Sequence, residues 1–259
     1  VLADAESSAH RLEVHGCCLL PGVVPTDACA RLAGFVDRAL AVAEEAMAEA
    51  ADEDERTALE VSLFGSVRCR RHRRDFKLPM EPEVREALDW LVDASGPLLE
   101  QFVSPDGMLV ELSCLVSQPG AASQPLHPDT PCDGNACAPL LTAFLALQGV
   151  SAAMGPTVVC PGTHKLESHQ ALDRWPAAER CGEEARRAFG GRPAVCEAGS
   201  LLLMDSRLLH CGGANLPEAL GGGRRRLLYA TWQLPGNRPR GSTYSVREDL
   251  RGRYRLRDF

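Results

Sequence analysis

The sequence predicts a mainly β protein with helices at its N-terminal end, built as a β-sandwich or jelly roll. Three observations carry this. From Met108 onward the apolar residues come in short runs punctuated by Gly and Pro, the pattern of several short strands joined by turns. Before Met108, two long stretches instead repeat their apolar residues at helical spacing. The 259 residues are enough to bury the core of one large domain.

Taken in order, His10 to Pro25 (HRLEVHGCCLLPGVVP) alternates apolar and polar residues and then meets Gly and Pro, which predicts a short strand and a turn. Thr26-Asp27 caps a helix predicted over 28–51, with Leu32, Phe35, Val36 and Leu40 on one face. Asp52 to Arg56 reads as a charged break. Leu63 to Lys77 holds the basic cluster Arg68, Arg70, Arg71, His72, Arg73, Arg74 and Lys77. Such a run is commonly a solvated surface, although a few members could reach inward to an anionic substrate or co-substrate. Glu81-Pro82 opens a second helix running to about Phe102, with Leu88, Leu91, Leu98 and Leu99 on one side. Strands are predicted at Met108 to Ser117, Leu140 to Val150, Thr157 to Cys160, Ser200 to Met204 and Arg226 to Leu234. A helical surface insertion is predicted at Asp173 to Gly191. The resulting organisation is a single domain over 1–259, with a helical layer at 1–107, a jelly-roll core at 108–235 and a C-terminal tail at 236–259.

Composition excludes two classes of partner. The net charge of -7 gives no general basic field, and the basic cluster lacks interleaved aromatics, so a nucleic-acid partner is not expected. Apolar runs such as Pro139 to Val150 and Ser200 to Met204 are too short to span a bilayer, so no membrane partner is expected. Eleven cysteines, an odd number with irregular spacing and no CxxC, read as reduced thiols of a cytoplasmic protein. Cys17-Cys18, Cys132 with Cys137, and Cys211 are the cases in point.

The chemistry-bearing stretch is Gln124-Pro125-Leu126-His127-Pro128-Asp129. On extended backbone, residues i and i+2 point to one side, so His127 and Asp129 can offer an imidazole and a carboxylate to one point. One more His would complete the two-His, one-carboxylate set used by non-haem Fe(II) oxygenases. A His-x-Asp tripeptide alone arises by chance. Here it is followed by Gly155-Pro156-Thr157-Val158-Val159-Cys160-Pro161-Gly162-Thr163-His164-Lys165, then by Gly199-Ser200-Leu201-Leu202-Leu203-Met204-Asp205, then by Leu209-His210-Cys211-Gly212-Gly213-Ala214-Asn215.

These segments, in this order, resemble the phytanoyl-CoA dioxygenase family of Fe(II)- and 2-oxoglutarate-dependent oxygenases, and HGCCLLPGVVP followed by a helix resembles the family's opening. The resemblance implies a double-stranded β-helix in which His127 and Asp129 sit at the end of one strand and His210 on a later one, together forming the iron triad. His164 is the competing third His, but in the family its block shapes the wall of the site. The resemblance also implies an Arg for the distal carboxylate of 2-oxoglutarate on the strand after the last His. Arg225 is favoured, because Leu227, Tyr229 and Thr231 then share its face, with Arg226 next. Phe144 stands where a relative carries a co-substrate-lining Trp. Gln124, with Ser123, Leu126 and Thr130, is expected at the pocket mouth, and Asn215 and Asp205 are expected to support turns. Retention of Asp129 favours hydroxylation over halogenation. The implied cofactors are Fe(II), 2-oxoglutarate and O2, and the implied products are succinate, CO2 and a hydroxylated small molecule, which the basic cluster suggests is anionic. Desaturation, epoxidation or ring rearrangement by the same oxidant, or a metal-binding module without turnover, are the alternatives.

Overall fold

A computed structural model describes residues 7–132, 138–236, 238–242 and 244–259; Cys137 lies outside them. Among the described residues the strands, in chain order, are β1 (Cys17–Leu20), β2 (Arg73–Lys77), β3 (Met108–Ser117), β4 (Leu140–Ala146), β5 (Thr157–Val159), β6 (Arg192–Pro193), β7 (Leu201–Asp205), β8 (His210–Gly212) and β9 (Arg225–Gln233). Strands β4, β7 and β9 are apolar almost without interruption and buried along nearly their whole length, so they need cover on both faces. They lie at the centre of a six-stranded antiparallel sheet ordered β1-β7-β4-β9-β3-β2. Helices α2 (Thr26–Glu49) and α4 (Pro82–Val103) cover its outer face. There Leu32, Val36, Leu88, Leu91 and Leu99 pack with Leu112, Leu141, Leu203, Leu228 and Trp232. A three-stranded sheet, β6-β5-β8, stands opposite part of the inner face, and the two sheets form the jelly roll. Because side chains alternate along a strand, one register sends Leu228, Ala230 and Trp232 to the helices and Leu227 and Tyr229 to the interior.

Capping chemistry overrides two expectations. Residues His10 to His15, expected to be extended, belong to helix α1 (Ser8–His15): the Ser7 hydroxyl accepts from the His10 amide, and Gly16, at φ 70°, ends the helix. Only then does β1 begin. The expected charged break at Asp52 is the start of helix α3 (Glu53–Leu63), with the Asp52 side chain accepting from the Glu55 amide. The region 1–107 is also more than a helical layer, since it contributes both edge strands, β1 and β2, to the large sheet. Nor is 236–259 a loose tail: Val246, Leu250 and Leu256 are in the main core. The insertion begins earlier than expected, as α5 (Leu166–Arg174), and Pro176 separates it from α6 (Glu183–Ala188). The described cysteines are all free thiols, and no described helix is long and apolar enough to cross a membrane.

Candidate active site

His127 and His210 face one another across the sheet edge. Their backbones exchange both hydrogen bonds, His127 N to His210 O at 3.0 Å and His210 N to His127 O at 2.9 Å, and their rings stand 4.6 Å apart. His127 lies in this isolated bridge and not at the end of a continuous strand. Pro125 and Pro128 flank it and cannot donate to a ladder. Asp129 is fixed by donating its amide to the Ser206 carbonyl at 2.9 Å, and Thr130 does the same at 3.0 Å.

The three side chains offer one ligand atom each, all within 4.8 Å of one another. Both rings are oriented from behind: His127 Nδ1 lies 2.7 Å from the Pro125 carbonyl and His210 Nδ1 lies 2.9 Å from that of Leu208. With Nδ1 donating, each Nε2 carries the free lone pair. Those Nε2 atoms lie 4.0 and 3.6 Å from Asp129 Oδ1. Burial, and then the neighbouring His210, hold His127 well below the usual imidazole range, so it stays neutral as a ligand must be. Two imidazoles and a carboxylate on one side of a cavity suit a divalent transition metal with open positions.

The cavity they border holds about 390 Å³. Its sheet wall comes from β2, β3, β4 and β9, and its mouth from Ser66, Val67, Arg68, Gly241 and Ser242. Arg225 projects into it, 3% exposed, and donates to the Gly155 carbonyl. Arg73, which the basic cluster did not single out, projects into it as well, 2% exposed. The register places Arg73, Ser117 and Arg225 in one cross-strand row. Arg73 donates only to carbonyls, those of Cys69, Ala122 and Gly213, and the Nε atoms of both arginines are buried without a partner. Burial, and then Arg73, push Arg225 down to about 10, which leaves it charged at neutral pH. Two buried cations with no acidic partner among the described residues make a receptor for an anion.

Arg226 has a different place. It leaves the opposite face of β9 and grips Asp37 of α2 at 2.8 and 2.5 Å, while Arg224 reaches the same carboxylate at 3.0 Å. The expectation that Arg226 binds co-substrate is therefore corrected; strand alternation turns it toward the helices. Phe144 lines the cavity, tilted against Tyr229 at 5.8 Å between ring centroids. Gln124 lines it too, but its amide is spent on backbone, donating to the Arg68 carbonyl at 3.1 Å and accepting from the Gly212 amide at 2.7 Å. His164 stands apart from the triad, with a buried Nδ1 that has no partner. Asn215 ties the 215–223 loop to β3 by donating to the Ser117 and Gly223 carbonyls. Asp205 forms a buried ion pair with Arg207 at 2.6 Å.

The remaining wall is acidic. Asp75, between Arg73 and Lys77 on β2, accepts from the Tyr229 hydroxyl at 3.0 Å on each oxygen and from the Ser245 hydroxyl at 3.3 Å. Glu111 accepts from Thr231 at 2.6 Å. Burial raises Asp75 to about 6 and Glu111 to about 7. For Asp75 the folded value lies above its ordinary 3.8, so the folded chain holds a proton that the unfolded chain releases. Its favourable contribution is complete below the unfolded value and lost as pH rises through the folded one, a loss of roughly 3 kcal/mol. Asp75→Asn keeps an acceptor for Tyr229 without the charge. Its melting temperature, followed by calorimetry in metal-free protein, should match the parent's near pH 4 and exceed it by several degrees at pH 8; a constant gap would refute the assignment.

A family model described as phytanoyl-CoA dioxygenase (PhyH) matches residues 12–224. No curated protein matches the chain in sequence. Among solved structures the chain is similar to AviO1 from Streptomyces viridochromogenes Tue57, at 21% identity over 92% of this chain and 99% of that one, with a TM-score of 0.63. It is similar to SnoN, described as a non-heme alpha-ketoglutarate-dependent epimerase from nogalamycin biosynthesis, at 20% identity over 95% and 89%, TM-score 0.62. HygX from Streptomyces hygroscopicus, solved with nickel and 2-oxoglutarate bound, follows at 17% identity over 96% and 95%, TM-score 0.58.

Proposed function

This chain belongs to the phytanoyl-CoA dioxygenase family, and on that premise we propose that it hydroxylates a small-molecule metabolite, using Fe(II), 2-oxoglutarate and O2 and releasing succinate and CO2. The observation that carries this is the union, in one cavity, of His127, Asp129 and His210 with a buried arginine that has no acidic partner among the described residues. When bound, the metal and co-substrate supply the oxidising chemistry; the chain supplies geometry and charge. His127, Asp129 and His210 would hold the metal. Arg225 would receive the distal carboxylate of 2-oxoglutarate, with Arg73 one cross-strand position beyond Ser117 adding a second positive charge. Phe144 and Leu115 line the same cavity with apolar surface, which keeps water away and strengthens the arginine's pull on a carboxylate. The mouth segments would shield the reacting end from solvent.

The presence of Asp129 favours hydroxylation, because all three protein ligand positions are filled. A likeness to an epimerase supports keeping other outcomes of the same oxidant in view. Reading the chain as a metal-binding module without turnover leaves without a purpose two buried arginines that have no acidic partner among the described residues.

The test is anaerobic. Metal-free protein is given Fe(II) and then 2-oxoglutarate, and the weak visible absorption of the chelated co-substrate is followed with His127→Ala as control. Absorption in the parent that the variant lacks supports the reading. Iron retained without that absorption at any co-substrate concentration would return the chain to the binding-module reading. Products of an aerobic substrate screen then decide between hydroxylation and its alternatives.

A further inference from the structure

The cavity is polarised along its length. Arg73 and Arg225 share a row with Ser117 at one end. Six residues along β9, or about 20 Å of strand, Thr231 sits in a row with Glu111 and Thr142. Asp75 lies between, 3% exposed and lining the cavity, with no ion pair among the described residues. The neutral hydroxyls of Tyr229 and Ser245 donate to it. Lys77, the next inward residue on its strand, instead spends its ammonium on the Val61 carbonyl at 2.7 Å. An ionised carboxylate kept dry, with its nearest ammonium spent on a carbonyl, costs stability that Asn, whose carbonyl oxygen can still accept from Tyr229, would not. A charge retained on those terms in a reaction cavity points to something that arrives with the opposite charge.

We propose that Asp75, supported by Tyr229 and Glu111, is the substrate-recognition residue of this cavity, and that the group it receives is a protonated amine. The proposal rests on the oxygenase reading above. A hydroxyl would be served as well by Asn, and an anionic substrate would meet Asp75 and Glu111 as like charges. The arginines do not argue for an anionic substrate, because Arg73 lies at the co-substrate end and Arg68 is exposed at the mouth. The raised values of Asp75 and Glu111 fit the same account, since a bound ammonium would relieve the burial that raises them.

The test uses full-length protein loaded with Mn(II) and 2-oxoglutarate. Paramagnetic relaxation of probe protons reports binding near the metal, even when weak. The probes are trans-4-aminocyclohexanol, trans-1,4-cyclohexanediol and trans-4-hydroxycyclohexanecarboxylate, matched in shape and differing in charge. The amine should bind about tenfold or more tightly than the diol, the scale of a charge-assisted over a neutral hydrogen bond. That preference should vanish in Asp75→Asn and weaken in Glu111→Gln, with 2-oxoglutarate affinity unchanged in both. Equal binding of the diol, tighter binding of the carboxylate, no binding of any probe, or an amine preference that survives Asp75→Asn would overturn the proposal. Failure of 2-oxoglutarate itself to bind would overturn the oxygenase reading instead.

Discussion

His210→Ala is expected to lower 2-oxoglutarate consumption at least about a thousandfold and to abolish stoichiometric iron binding, because one of the three proposed protein ligands is gone. The fold should survive. His210 holds its place through backbone hydrogen bonds to His127 in both directions and lies in register with Val159 of the neighbouring strand β5, and Ala keeps both. The circular dichroism and melting temperature of the metal-free variant should therefore follow the parent, while bound iron, measured by elemental analysis after desalting, falls. Parent-like iron content with parent-like turnover would remove His210 from the metal site.

Arg225→Leu should raise the KM for 2-oxoglutarate about a hundredfold, the loss expected when a buried, charge-assisted carboxylate pair is removed. The metal-free variant should also melt at or above the parent temperature, since a buried cation with no acidic partner among the described residues has been deleted. Arg226→Leu is the informative contrast. Its guanidinium is bound to Asp37 on the far face of the sheet, so it should lower stability and leave that KM close to the parent's. The reverse pattern in steady-state kinetics would exchange the roles of the two residues.

Much of this could be read from the residues. The run from Met108 to Ser117 coincides with β3, because its apolar residues are bounded by turn signals on both sides. Helix α2 was legible from Leu32, Val36 and Leu40, which do pack into the core. Local pattern failed where one side chain decided the backbone: the Ser7 and Asp52 caps made helices of stretches whose apolar residues gave a contrary or empty signal. Arg73 was hidden for a related reason. Six other basic residues surround it, and only pairing of β2 against β3 shows which of them faces inward. Asp75 carried no signal, since a carboxylate beside arginines looks like a surface ion pair until its burial and its hydroxyl partners are seen.

The three consecutive arginines at the start of β9 amount to a registration key. The outer two close on one carboxylate of a helix that never meets the cavity, and the middle one is thereby held pointing the other way. A slip by one residue would turn Arg225 to the helices and Arg226 to the interior, and would expose every apolar partner behind them to the wrong face. The inward aim of Arg225 is thus tied to a contact on the outside of the sheet, which serves as a check on register. A chain that passes that check carries its anion receptor in place before any ligand arrives.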